Sequence, residues 1–187
     1  MNLRRISMLL GLALFALSTA ANAAVHRVFP GDSIQAALDD ANPGDTVLVE
    51  PGIYQETDNG RYGLRIEKDN IRLIGKVKKG RGEAGKVRLL ANEDQETGVY
   101  AGPPGCDYDV KDDTPEGQAC RSMELQGFYI RGFSVEEFPV NGIQTRWVDG
   151  FEFVRNASVN NLNNGIYPTL SANGMVRNNE SYGSLDT

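Results

Sequence analysis

Two adjacent segments of this chain repeat one pattern with a period of 23 residues. One begins at Gly142 and reads GIQTRWVDGFEFVRNASVNNLNN, and the next begins at Gly165 and reads GIYPTLSANGMVRNNESYGSLDT. Val154-Arg155-Asn156 in the first matches Val176-Arg177-Asn178 in the second, and Ile130-Arg131-Gly132 precedes both at a similar interval. Such a period is too short for a propeller blade and lies within the range of solenoid repeats.

Short β-prone runs, punctuated by Gly or Asn, occupy much of the remaining chain. They are Thr46–Val49, Tyr62–Ile66, Ile71–Ile74, Val87–Leu90, Phe128–Ile130 and Phe133–Val135. No helices alternate with them, so a βαβ fold is excluded and a sandwich, a barrel or a solenoid remains. The repeat favours a solenoid among these three folds. We expect no helix after the one near the N-terminus.

A single amphipathic helix is predicted before the strands, over about residues 32–41. Ile34, Ala37, Leu38 and Ala41 lie at i, i+3, i+4 and i+7 and form one apolar stripe. We expect Asp32 to be the N-cap with Gln35 as its reciprocal partner, and Asn42-Pro43-Gly44 to end the helix.

Asparagine is concentrated in the repeats, with eight between positions 156 and 179. Asn tolerates the left-handed backbone conformation that tight corners require, and stacked Asn side chains can form hydrogen-bonded ladders. We therefore predict Asn at the corners of the coils, with the repeated apolar positions facing inward and the Arg after each facing outward.

The stretches GDSIQAALDDANPGDTVLVEPGIYQE and NIRLIGK, together with the G-I...R-N-N coils, resemble secreted bacterial right-handed parallel β-helix proteins of the pectin-lyase-like superfamily. The resemblance covers residues 26–187. It implies an all-β domain over 24–187, a right-handed parallel β-helix whose open end the N-terminal helix caps, with regular coils over about 128–187. Lyases, epimerases, glycosidases and non-catalytic binding proteins share this fold. The Gly-His-Gly of its glycosidases and the Asp-Pro-His of its mannuronan epimerases are absent here.

The first 23 residues are typical of a secretory signal peptide. Arg4 and Arg5 are followed by the apolar run Ile6–Leu17 and by Ala21-Asn22-Ala23, a small-residue cleavage site. We expect cleavage near Ala23 and a periplasmic or secreted protein that is not inserted in a membrane; an uncleaved anchor is the alternative. Without the leader, 17 basic and 25 acidic residues leave a net charge of −8, which argues against a nucleic-acid partner.

Cys106 and Cys120 are the two cysteines, and in an exported chain we expect them to form a disulfide. Zinc is the competing interpretation, but His26 is the only histidine. The cysteines lie in a predicted loop insert over about 92–122. Its carboxylates have oxygens that can bind calcium, although a flexible polar loop is favoured and no metal or other cofactor is expected. These are Asp107, Asp109, Asp112 and Asp113.

Three arginines, Arg131, Arg155 and Arg177, are the candidate substrate-binding residues. If the coils stack in register, their guanidinium groups line one ridge at the strand spacing of about 4.8 Å and can meet successive carboxylates of a uronate polymer. The favoured alternative is that nearby acids neutralise them, namely Glu136, Glu152 and Glu180. Aromatic residues nearby can stack on sugars or belong to the core: Tyr129, Phe133, Trp147 and Tyr167. The basic run 76–88 is interpreted as a solvated turn, with contact to a polyanion as the alternative.

The last 23 residues are as regular as those before them and include no cap. We therefore expect further coils beyond Thr187, in a longer protein. The functional hypothesis is binding or processing of polysaccharide, with a uronate-containing polymer as the candidate substrate and lyase or epimerase chemistry as the candidate reaction. The alternatives are a non-catalytic periplasmic accessory protein, similar to the β-helix protein of nitrous-oxide reductase copper maturation, and a structural surface solenoid.

Overall fold

Strands make up most of the described structure. The computed structural model describes residues 22–57, 59–78, 80 and 86–184. The strands are β1 (Val25–Val28), β2 (Thr46–Val49), β3 (Gly52–Tyr54), β4 (Tyr62–Ile66), β5 (Ile71–Gly75), β6 (Val87–Leu90), β7 (Thr97–Ala101), β8 (Leu125–Arg131), β9 (Phe133–Glu136), β10 (Asn141–Arg146), β11 (Val148–Val154), β12 (Ala157–Val159), β13 (Asn164–Thr169), β14 (Met175–Arg177) and β15 (Glu180–Tyr182). The helices are α1 (Ile34–Asp40) and α2 (Pro115–Ser122).

The predicted leader lies almost entirely outside the described residues, which begin at Asn22. The same holds for the middle of the basic run, residues 79 and 81–85. In the part of the chain that the structure describes, neither helix is long and apolar enough to cross a membrane.

The strands enter three parallel sheets in rotation. Sheet A has the order β1-β2-β5-β8-β11-β14, sheet B the order β15-β12-β9-β6-β3, and sheet C the order β13-β10-β7-β4. From β2 onward the chain visits sheets A, B and C in turn, and neighbouring strands within each sheet are parallel. We call each such passage a circuit. The all-β prediction is confirmed, and the arrangement is compatible with a β-helix-like solenoid.

Equivalent residues of successive circuits form apolar columns between the sheets. In sheet A, Val47 pairs with Leu73, Leu73 with Ile130, and Ile130 with Phe153, and all four are fully buried. The column of sheet C consists of Leu64, Val99 and Ile143. Burial of each such side chain contributes about 1.5–3 kcal/mol, and a shift of one residue would turn the whole set outward. The columns therefore determine the register.

Helix α1 lies within the range 32–41 that the sequence predicts for an N-terminal helix, but its cap differs. Ser33 is the N-cap, and its hydroxyl accepts the Ala36 N–H at 3.0 Å. The Asp32 carboxylate instead accepts the Phe29 N–H at 2.9 Å and closes the preceding turn. Ser and Asp side chains both accept backbone hydrogen bonds at N-caps, so the sequence alone left two adjacent residues as candidates for the N-cap. The buried side of the helix packs against β1, β2 and β4.

Helix α2 contradicts the expectation that no second helix exists. It has Thr114 as N-cap, Pro at its start and only Gly117 and Cys120 buried. Because it presents no apolar stripe, periodicity could not reveal it, although the Thr-Pro start is typical of a helix. The structure also places strand β7 within the range 92–122 that the sequence analysis assigns to an insert. The connection that carries α2 thus follows Ala101.

The predicted disulfide between Cys106 and Cys120 is confirmed, with the Cα atoms 5.8 Å apart. Both cysteines pack against Trp147, which is 1% exposed. The bridge thereby attaches the loop over 102–124 to the end of β10. Disulfides persist in oxidising compartments, so this bond fits a protein outside the cytosol.

Leu38 tests whether α1 protects the apolar interior. Its side chain is 4% exposed, whereas Ala36 on the same helix is exposed. We expect Leu38→Asp to lower the free energy of unfolding by about 3 kcal/mol or more, since it removes a buried apolar group and introduces a carboxylate. Urea denaturation followed by circular dichroism measures this. Ala36→Asp adds the same carboxylate at an exposed site and should change stability by about 0.5 kcal/mol or less; equal midpoints for the two variants would contradict a covering role.

Candidate functional site

The corner between sheets A and B repeats the same backbone geometry in successive circuits. Gly132, Arg155 and Asn178 each follow a strand of sheet A, with φ of 75°, 54° and 55°. This left-handed conformation turns the chain sharply toward sheet B. Asn160 and Asn173 also have positive φ, so the prediction of Asn at corners is confirmed.

An asparagine ladder supports this corner from inside. Asn156 is 2% exposed; its Oδ1 accepts the Phe133 N–H at 3.2 Å and its Nδ2 donates to the Ile130 carbonyl at 3.2 Å. One circuit further on, the Asn179 Oδ1 accepts the Asn156 N–H at 2.8 Å. The ladder provides hydrogen-bond partners for backbone N–H and C=O groups that leave the sheets at the turn. It therefore stabilises the same corner geometry in successive circuits.

Two glycines leave the corner without side chains where circuits meet most closely. A Cβ atom on Gly75 would lie 2.6 Å from the Gly132 carbonyl oxygen, and one on Gly132 would lie 2.5 Å from the Gly75 carbonyl oxygen. Only glycine permits this approach. The missing side chains contribute to a groove of about 650 Å³ along the corner.

Residues from four circuits line this corner groove. They are Ile74, Gly75, Lys76, Val77, Lys86, Arg131, Gly132, Phe133, Ser134, Arg155, Asn156, Ala157, Asn178 and Glu180. Four of these side chains are basic and one is acidic. The surface is therefore cationic within a chain that carries a net charge of −6.

The charges of the groove differ in how far the protein neutralises them. Lys76 makes a short ion pair with Glu50, which also lies 3.8 Å from Arg27, and the hydrogen bond from Lys76 lowers the pKa of Glu50. Arg131 and Arg155 are exposed, and among the described residues no carboxylate lies within ion-pair distance of either. Two guanidinium groups are thus available to an anion from outside.

The structure brings together two of the three predicted arginines. Arg131 pairs with Val154 in the adjacent strand, and Val154 pairs with Arg177, so these positions share one column at an interval of 23 residues. Arg155 lies one residue later, at the turn. Arg177 does not line the groove, and its guanidinium lies 4.0 Å from Glu152. The arginines therefore do not form one straight ridge, because Arg131 and Arg155 are 24 residues apart.

The proposed neutralising acids also have separate roles. Glu152 lies 4.0 Å from Arg177, whereas Glu136 bonds to Arg88 at 2.5 and 2.8 Å, and that bond lowers the pKa of Glu136. Glu180 lines the groove without an ion pair within the described residues. Of the three arginines, Arg177 alone has a carboxylate within ion-pair distance among the described residues.

Lys76 and Lys86 are groove residues that the sequence analysis did not select. It interpreted the run 76–88 as a solvated turn, whereas the two ends of this run reach the corner. The six basic residues in the run are the feature that suggested contact with a polyanion. Lys76 and Lys86 lie near Arg131 because strands on either side of the insert pair with each other. The pattern of charges in the sequence does not reveal that pairing.

A second group of charged residues attaches the insert to sheet C. Arg61 donates to Glu96 at 2.6 Å and to Asp109 at 3.0 Å, and the Tyr108 hydroxyl donates to Glu96 at 2.5 Å. Arg65 bonds to Glu67 at 2.7 Å and to Asp107 at 3.2 Å. These charges satisfy one another, so the group is a structural anchor rather than a binding surface.

The same contacts bear on the calcium alternative. Asp107 and Asp109 face arginines, which compete with a cation for their oxygens. Among the described residues, no group of three or more His, Cys, Asp or Glu side chains is placed to hold a metal ion.

The four candidate aromatic residues have different environments. Phe133 and Trp147 are each 1% exposed and belong to the interior. The guanidinium group of Arg72 lies over the ring of Tyr129, 4.2 Å from the ring centre. Tyr167 is 40% exposed on β13, away from the corner groove. None of them offers a free ring within the groove.

No protein-family model, curated protein or solved structure matches this chain.

Glu96 provides a pH test of the insert anchor. The hydrogen bond from Tyr108 and the charge of Arg61 hold its pKa below the ordinary 4.5. The ionised carboxylate therefore stabilises the docked insert above pH 4.5, and this contribution is lost as the pH falls through the lowered pKa. We expect the near-ultraviolet circular dichroism of Tyr108 and Trp147 to weaken in acid, and Glu96→Gln to show the weaker spectrum already at neutral pH. Glu116→Gln, on α2, is the control; a Glu96→Gln spectrum identical to the control would refute the anchor.

Proposed function

We propose that this chain is an exported right-handed parallel β-helix protein of the pectin-lyase-like type, and that its corner groove binds an acidic, uronate-containing polysaccharide. The leader pattern and the disulfide support export. The rotation of strands among three parallel sheets supports the fold assignment.

The observation that carries the proposal is the pair Arg131 and Arg155, which face the groove without a carboxylate partner in the described structure. A guanidinium group binds a carboxylate through two parallel hydrogen bonds, which makes arginine well suited to uronates. The chain as a whole carries a net charge of −6, so the excess of basic side chains in the groove is opposite in sign to the charge of the whole chain.

A flexible acidic sugar chain fits the groove better than a nucleic acid does. The groove combines cations with the apolar side chains of Ile74, Val77 and Ala157, which can contact the C–H faces of sugar rings. A nucleic acid needs a wider basic face than this groove provides, because a duplex carries one negative charge per about 1.7 Å of its axis. Polysaccharide is therefore the proposed partner.

Binding is better supported than catalysis. A lyase or an epimerase needs a base that removes the C5 proton of the bound uronate. Lys76 is engaged in its ion pair with Glu50, and a guanidinium group has N–H donors but no acceptor, so these three side chains are poorly suited to that role. We therefore propose a binding protein first, with lyase or epimerase chemistry as the alternative that assays for unsaturated product would detect.

The test compares the protein with its Arg131→Gln/Arg155→Gln variant on alginate and polygalacturonate. Each charge-assisted carboxylate contact is worth about 1.5 kcal/mol or more, so the double variant should bind at least roughly a hundredfold more weakly. Isothermal titration calorimetry at low salt measures the affinity, which should fall with added salt.

Arg121→Gln and Arg177→Gln are the matched controls, because each removes one positive charge away from the groove. Both should retain affinity within about threefold, and neutral dextran should not bind. Equal affinity in the double variant and the controls would show that the groove is not the binding site, and no binding of any acidic polysaccharide would refute the proposed function.

A further inference from the structure

Asp45 is a buried carboxylate in the turn between α1 and β2, and it is only 3% exposed. Its Oδ2 atom accepts the Asn42 N–H at 2.8 Å and lies 3.0 Å from the His26 Nε2. Its Oδ1 atom accepts the Ala24 N–H at 2.7 Å. The hydrogen bond from Asn42 and those from His26 and Ala24 lower the pKa of Asp45 to about 2. The carboxylate is therefore ionised at neutral pH, and a buried charge is most stable beside a positive partner.

Ala24 is held by both of its backbone groups. Its N–H donates to Asp45, and its carbonyl oxygen accepts the Thr46 N–H at 2.9 Å. Strand β1 begins at the next residue, where Val25 pairs with Thr46. Ala24 is nevertheless exposed, as is Ala23 before it. The Ala24 nitrogen thus lies against a buried carboxylate, while the peptide bond before it is at the surface.

The predicted leader ends at this same peptide bond. The small-residue pattern Ala21-Asn22-Ala23 places cleavage between Ala23 and Ala24. Hydrolysis by a leader peptidase adds the OH of water to the Ala23 carbonyl carbon and a hydrogen to the Ala24 nitrogen, which takes up a further proton at neutral pH. A neutral N–H donor thereby becomes an ammonium group with three donors and a positive charge. Charge-assisted hydrogen bonds are about twice as strong as neutral ones.

We propose that removal of the leader between Ala23 and Ala24 creates a cationic partner for Asp45, an N-terminal α-ammonium group whose ion pair with this carboxylate fixes the first strand of the solenoid. The pair is specific for the cleavage position, because each residue of an extended chain advances by about 3.3 Å and an amino group one residue away is displaced from Asp45 by that distance. The leader-bearing chain has only the neutral N–H here, so the ion pair forms after export. This inference rests on the export that the proposed function includes, and it is independent of the ligand of the corner groove.

The test exports the full chain from a bacterial host and identifies its first residue by intact-mass spectrometry, which should give Ala24. Reductive methylation with 13C-formaldehyde then labels the α-amino group without removing its charge, and NMR measures its pKa. This pKa should be higher by about one pH unit or more in the wild type than in Asp45→Asn, because a nearby carboxylate favours the ammonium form. His26 also faces Asp45, so its imidazole resonances are followed in the same titration. Asp40→Asn is the control: it removes the same charge from an exposed position on α1 and should keep the wild-type pKa.

A second measurement needs no substitution. Selective acetylation of the α-amino group removes its charge and should lower the Tm of the wild-type protein by about 2–4 °C, as expected for the loss of one charge-assisted contact in a chain of this length. The same treatment should leave the Tm of Asp45→Asn unchanged. If Asp45→Asn does not fold, the wild type decides alone, and an unchanged Tm after acetylation would overturn the ion pair.

The outcomes separate this inference from the proposed function. A first residue other than Ala24 would overturn the inference, and retention of the whole leader would also contradict export. Processing at Ala24 with equal α-amino pKa values in the wild type and Asp45→Asn would overturn the ion pair alone. None of these results depends on polysaccharide binding, which the arginine variants test separately.

Discussion

The structure depends on the alignment of each strand of the solenoid with its equivalent in the next circuit. Val154 pairs with Arg131 on one side and with Arg177 on the other, each 23 residues away. The same alignment stacks Leu73, Ile130 and Phe153 in the interior. Because these residues are buried, a slip in register is costly, and every corner and its Asn residue recur at the same place. The groove is a consequence of that recurrence.

The two charged regions of the molecule illustrate different uses of ionic groups. Around Arg61, every charge has a partner, and the result is attachment of the disulfide-closed insert to sheet C. In the corner groove, Arg131 and Arg155 lie in adjacent circuits, where like charges repel. The polyanion binding proposed above would relieve this repulsion, and the relief would add to the affinity.

Sequence reasoning succeeded where the determinants are local or periodic. The stripe through Ile34 and Leu38 predicted α1, and strands such as β2, β4 and β6 lie at the predicted residues. It missed β7, which is buried along its whole length and therefore has no alternating pattern, and α2, which packs through a glycine and a cysteine. It placed two groove residues, Arg131 and Arg155, but not Lys76, which a long insert separates from them in sequence.

The sequence by itself determined the repeat, the apolar positions of each coil, the Asn corners and the pairing of Cys106 with Cys120, because these follow from short-range periodicity or from residue chemistry. Only the tertiary structure decided which charges meet. The interval between Arg131 and Arg155 exceeds the strand offset by one residue, and that residue moves Arg155 out of the column of Arg131 and onto the turn. Arg177 lies outside the groove, 4.0 Å from Glu152, and so differs from the two arginines that face the groove. Such pairings join residues far apart in the chain, and they arise only when the circuits stack.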